Sequence, residues 1–181
     1  MESGYVIPPT STYRVRRTVG FVDLSGFTSF ANIEGDDAAV EQLEVFRRIV
    51  RNTGAASGVR VAKWLGDGAM FGGQEAPAVL SCLLRVISRA RSKGLLDVHG
   101  GVTTGDVILF EGDDYIGASV NLAARLADIA GPGQLLGPVD ILPGLAHTKA
   151  AIGTVDVPGF PDPIPVADLT RAAHLVESLN L

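Results

Sequence analysis

Apolar and polar positions in this chain alternate in short runs broken by glycine, and two longer stretches repeat at helical spacing. From Thr18 the run TVGFVDL predicts a short strand. The segment GDDAAVEQLEVFRRIVRN follows, in which Val40, Leu43, Phe46, Ile49 and Val50 fall on one helix face. Next, VRVAKWLGDGAMFGG alternates, breaks at Gly66-Asp67-Gly68 and resumes, which predicts a hairpin with Asp67-Gly68 as its turn signal. Strict alternation places Lys63 on the face of Val59, Val61 and Leu65.

Pro77 suits the first turn of a second helix, PAVLSCLLRVISRARSKG, which ends at Gly94 with basic residues in its last turns. VHGGVTTG and DVILF predict two further strands, Glu111 to Asp114 a turn, Gly117 to Ala130 a short helix, and Gly131-Pro132-Gly133 a break. The tail holds QLLGPV, a weak strand from Ile152 to Val157, a proline-rich turn and a last strand or helix between Pro165 and Leu179. This order predicts one α+β domain over residues 18–181 behind a flexible leader, residues 1–17, rich in Ser, Thr and Pro.

Composition narrows the class. A chain of 181 residues that is 46% hydrophobic can bury a core without staples. The single cysteine, Cys82, lies in the apolar run AVLSCLLRVIS and reads as a buried core thiol in a reducing compartment. No apolar run reaches the length of a membrane span, and the first residues lack the apolar region of a signal peptide, so a cytoplasmic location without membrane insertion is expected. The net charge of -5 argues against a nucleic-acid partner, with Arg14, Arg16 and Arg17 read as a solvated approach to the first strand.

Four groups of polar residues could carry chemistry. Asp23 ends the first apolar run and Asp67 stands in the hairpin break, each close to a glycine. Either can simply shape its turn, but two carboxylates at neighbouring strand ends also suit hard divalent cations. Asn121 and Arg125 are four apart and share one helix face, with Asp128 one turn further on. They read as an exposed stripe or as a stripe turned into a cleft. Asp114 reads as a turn aspartate. Lys63, on an expected apolar face, must reach solvent, an anion or a ligand.

Three of these segments, FVDLSGFT, KWLGDGAMF and DYIGASVNLAARL, resemble in order and spacing the signature segments of the class III nucleotidyl cyclase catalytic domain. The resemblance spans about residues 18–170. It implies a ferredoxin-like βαββαβ core with extra C-terminal elements, and an adenylyl cyclase activity that turns ATP into 3′,5′-cyclic AMP and pyrophosphate. It implies further that Asp23 and Asp67 hold two divalent cations, Mg2+ or Mn2+, that Asn121 orients the ribose, and that Arg125 meets charge on the α-phosphate. Lys63 and Asp114 match the base-reading positions. A donor-only lysine and an acceptor-only aspartate complement N1 and N6 of adenine and oppose guanine. In this family each site lies between two chains, which implies a head-to-tail homodimer.

Two positions depart from the family pattern. Val157-Pro158-Gly159-Phe160 stands where relatives often carry a lysine for the polyphosphate, and His99 stands where some carry an arginine. A second reading is therefore a cyclase-fold module that binds nucleotide, or pairs with another cyclase, without efficient turnover.

Overall fold

The structure, a computed structural model, describes residues 13–110 and 114–179. Its first half forms β1 (Arg14–Leu24), α1 (Phe27–Glu34), α2 (Asp36–Ser57), β2 (Arg60–Leu65), β3 (Gly68–Gly73), α3 (Ala76–Ser92) and β4 (Val98–Phe110). The second half adds β5 (Asp114–Ile116), α4 (Ala118–Ile129), β6 (Leu135–Pro138), β7 (Ala151–Val155), β8 (Ile164–Asp168) and α5 (Ala173–Ser178), with single 3-10 turns before β7 and α5.

The strands make one sheet in the order β2-β3-β1-β4-β6-β8-β7, with β5 paired to β4. The first four strands are antiparallel neighbours, and helices connect β1 to β2 and β3 to β4. That is the expected ferredoxin-like βαββαβ core. β6 joins it in parallel through only two residue pairs, Gly100↔Leu135 and Gly101↔Leu136, and carries β8 and β7 beyond it.

Alternation along β1 divides the core. Val22 and Leu24 face the layer of α2 and α3, where they join Phe46, Phe71, Leu80 and Leu83 in the main buried cluster. Val19 points the other way, into a smaller cluster with Met70, Val107 and Tyr115 that Val120 of α4 closes. α4 lies close on this second face, because Gly101 of β4 has no side chain; a Cβ there would collide with the Ala123 carbonyl. Cys82 is buried in the main cluster, and burial pushes its thiol up to about 11. It is a packed thiol, unreactive at neutral pH.

Several sequence expectations change. β1 begins at Arg14 rather than Thr18, so residues 14–17, expected in the leader, are strand. All eleven residues of β1 pair with β4, from Arg14↔Ile108 to Leu24↔Val98, and this ladder also fuses the two expected strands VHGGVTTG and DVILF into one. Residues 1–12 of the expected leader lie outside the described residues. α1 is an added helix that its short sequence, FTSFANIE, did not announce. Val40 is 53% exposed while Ala39 beside it is buried, so α2 turns a smaller residue inward. The tail forms both alternatives, a strand (β8) and then a helix (α5).

Candidate active site

The hairpin between β2 and β3 is tighter than its sequence suggested. Its two loop residues are Gly66 and Asp67, and Gly68 already belongs to β3, paired with both Asp23 and Leu65. Gly66 has a φ of 67°, a left-handed conformation that glycine adopts without a Cβ penalty. Gly68 serves differently: a Cβ there would lie 2.6 Å from the Asp23 carboxylate, so the bare backbone leaves that carboxylate room. Ladder pairing thus brings Asp67 beside Asp23 although 44 positions separate them.

Asp23 and Asp67 line one open cleft together with Leu65, Gly68, His99, Ala124 and Asp128. Burial raises the Asp23 carboxyl above its ordinary value of 3.8, the negative charge of Asp67 raises it further, and His99 and the Leu24 amide oppose the rise. Two crowded carboxylates of this kind fit a cation. The donor set is small and all oxygen, which suits Mg2+ or Mn2+ completed by water and phosphate oxygens, and no group of three ligating side chains occurs among the described residues.

His99 stands between the cleft and α4. Its Nδ1–H donates to the Ala127 carbonyl at 2.8 Å, because a carbonyl can only accept, and its Nε2 faces Asp23 Oδ2 at 3.9 Å.

Lys63 lies on the opposite face from the one strict alternation assigns. The β2–β3 register shifts between Val61 and Lys63, and Lys63 pairs opposite Met70, on the α4 side. Val61 and Trp64 take the positions against the main core. Lys63 Nζ donates to Asp114 Oδ2 at 3.0 Å, with both side chains about half exposed. Asp114 is the first residue of β5 rather than a turn residue, and its other oxygen accepts the Tyr115 amide.

Asn121 and Arg125 line a second cleft with Ala118, Ala124, Pro158, Gly159 and Phe160. Arg125 Nη1 donates to Asp128 Oδ2 at 3.4 Å. Ala124 borders both clefts, so α4 is the wall between them, with Asp128 in the first and Arg125 in the second. The structure therefore joins Asp23 to Asp67, Lys63 to Asp114 and Asn121 to Arg125, and within one chain it keeps the carboxylate cleft apart from the arginine cleft.

Known proteins share the arrangement. No protein-family model matches the chain. In fold it matches an adenylyl cyclase from P. aeruginosa with a TM-score of 0.72 and 25% identity, covering 86% of this chain and 94% of that one. A guanylyl cyclase matches with a TM-score of 0.71 and 23% identity over 87% of this chain and 92% of that one. In sequence, an adenylate cyclase of Streptomyces coelicolor is 33% identical over 145 residues, 79% of this chain and 36% of that protein. The chain has the fold of the class III nucleotidyl cyclase catalytic domain. An uncharacterised protein of Mycobacterium tuberculosis is 31% identical over 158 residues, 83% of this chain and 40% of that protein. The chain thus spans about 40% or less of the length of these curated relatives. Among the described residues no helix is long and apolar enough to cross a membrane.

Two residues beside the site escaped the sequence reading. Trp64 stands next to the LGDG segment, and Arg47 of α2 reaches it from nineteen positions before the turn it touches. The available signal was weak: two arginines four apart on a helix, followed by the chain's single tryptophan.

Proposed function

We propose that this domain is an adenylyl cyclase that converts ATP to 3′,5′-cyclic AMP and pyrophosphate at sites shared between two chains arranged head to tail. The observation that carries the reading is the Lys63–Asp114 pair, 3.0 Å apart and drawn from β2 and β5. Side by side, a donor-only and an acceptor-only group offer adenine the complement of its N1 acceptor and N6 donor. Guanine presents a donor at N1 and an acceptor at O6, and would leave both side chains mismatched.

In the reaction the ribose O3′–Pα bond forms while the bond from Pα to the bridging oxygen breaks; pyrophosphate departs and the hydroxyl proton passes to solvent. Asp23 and Asp67 would hold the divalent cations. Bound there, the cations supply acidity to the 3′-hydroxyl and neutralise charge on the leaving pyrophosphate. Asn121 orients the ribose. Arg125 places an always-charged, planar donor at the α-phosphate, where charge grows in the transition state. Because Asp23 and Asp67 line one cleft of a chain and Asn121 and Arg125 another, a complete site takes one cleft from each of two chains. That separation supports the homodimer.

Pro158 favours the second reading, a nucleotide-binding module of low turnover, since Arg125 is the single cation among the residues lining the second cleft. The deciding experiment measures cyclic nucleotide formation from ATP and from GTP, with Mn2+ and with Mg2+, over a series of protein concentrations. Cyclic AMP from ATP, with specific activity rising with concentration and lost in Asp67→Ala and Arg125→Ala, supports the cyclase. No product at high concentration with Mn2+ supports the module.

A further inference from the structure

Arg47 is enclosed between α2 and β2 in a way that ordinary surface arginines are not. Its guanidinium carbon lies 5.2 Å from the centroid of the Trp64 ring, its Nη2 donates to the Gly66 carbonyl at 3.0 Å, and its Nε is shut from solvent with no hydrogen-bond partner. Among the described residues no carboxylate pairs with it. Burying part of a cation without a counter-charge is costly, and here the aromatic face and the carbonyl dipole are what offset it. Arg51, one helical turn later, also lies 5.2 Å from the Trp64 ring but is exposed and makes no bond to the turn.

The carbonyl that Arg47 holds belongs to the first loop residue of the two-residue hairpin, and the second loop residue is Asp67. We infer that Arg47 is a positioning residue: clamped on Trp64, it fixes the peptide that leads into Asp67 and so sets where the Asp67 carboxylate points in the cleft. Glycine at 66 makes this necessary. A two-residue loop with a glycine at its start has little stiffness of its own, and Asp67 has to be held against repulsion from Asp23. The arginine fork suits the task because one planar group can lie over a ring and donate along its edge at the same time, which an ammonium cannot do. The inference rests on the cyclase reading for the purpose of Asp67, though not for the clamp itself.

The test compares Arg47→Met, Arg47→Lys and Arg51→Met in the full chain by two readouts. Amide hydrogen exchange is followed in the segment from Leu65 to Ala69, and Mn2+ binding is followed by the loss of the free-ion electron-spin signal in the presence of 3′-deoxy-ATP, which has no attacking hydroxyl. Arg47→Met is expected to speed exchange in that segment and to weaken Mn2+ binding by about tenfold to a hundredfold, the range seen when the outer support of a metal ligand is removed. Arg47→Lys keeps the charge and the stack but loses the fork. It is expected to fold like wild type and to show the same loosening in smaller measure. Arg51→Met should leave both readouts at wild-type values, even where it lowers the melting temperature. Equal effects of Arg47→Met and Arg51→Met would overturn the inference, leaving Arg47 as packing on Trp64, and so would wild-type exchange in both Arg47 variants. If wild type neither turns over ATP nor binds Mn2+, the cyclase reading fails, and the exchange comparison still decides whether Arg47 holds the turn.

Discussion

At the scale of single residues, Asp23 carries the clearest electrostatic consequence. Burial and Asp67 raise its carboxyl, so between its ordinary value and the raised one the folded chain binds a proton that the unfolded chain has lost. Stability attributable to this group therefore falls as pH climbs through that window. Asp23→Asn in chelator-treated protein is expected to melt higher than wild type at neutral pH, and the gain should vanish below about pH 4, where Asp23 is protonated in both states; melting curves from about pH 3 to 8 test this. At the proposed base-reading pair, Lys63→Ala is expected to lower the preference for ATP over GTP by tenfold or more, measured as a ratio of kcat/KM values, since a lost hydrogen bond at a discriminating site removes on the order of 1 to 3 kcal/mol. Lys63 also shows where residue-level reading stops. Its type and its spacing to LGDG were visible in the sequence. Its face was not, because one extra residue in β2 reverses every side chain beyond it, and nothing in RVAKWL marks the bulge.

At the scale of elements, α4 depends on the bare backbone of β4. The chain of Asn121, Arg125 and Asp128 along one helix follows from spacings of four and three residues and was legible; how deep the helix sits was not, since that depends on Gly101 of the sheet meeting Ala123 of the helix. Gly101→Ala pushes a methyl group into the helix backbone, with an expected cost of about 1 to 3 kcal/mol. Because α4 would lift away as a unit, turnover should drop further than the melting temperature alone explains, and wild-type and variant activities compared well below both midpoints check this. The fusion of two expected strands into β4 has a similar origin. Gly105-Asp106 looks like a break in isolation, yet each of these residues has a partner in β1, Arg17 and Arg16, and long-range pairing overrides the local signal.

At the scale of the whole molecule, one chain holds two clefts separated by a helix, the half-sites of the proposed dimer. Asp67→Ala and Arg125→Ala damage different halves. Each alone should be nearly inactive, by roughly a hundredfold to a thousandfold for the arginine. Mixed in equal amounts they should recover about a quarter of wild-type activity, because half of randomly paired dimers are mixed and each mixed dimer has one intact site. No recovery at any mixing ratio would place all the groups in a single chain. The order of elements and the βαββαβ core could be read from the chain, whereas the division into two clefts could not, since it arises from Ala124 facing both ways. The sheet, too, is uneven across its width: β1 and β4 are joined along eleven residue pairs, and β4 and β6 along two. The second junction is a short weld, reinforced by packing: Leu135 and Ala167 enter the main core, and Leu136 and Val166 pack on Leu126 at the end of α4. The segment beyond it carries the Pro158–Phe160 wall of the arginine cleft, while the carboxylate cleft is lined from β1, the β2–β3 hairpin, β4 and α4. Helix α4, whose Ala124 lines both clefts, is the shared hinge pin through which strain at one cleft reaches the other.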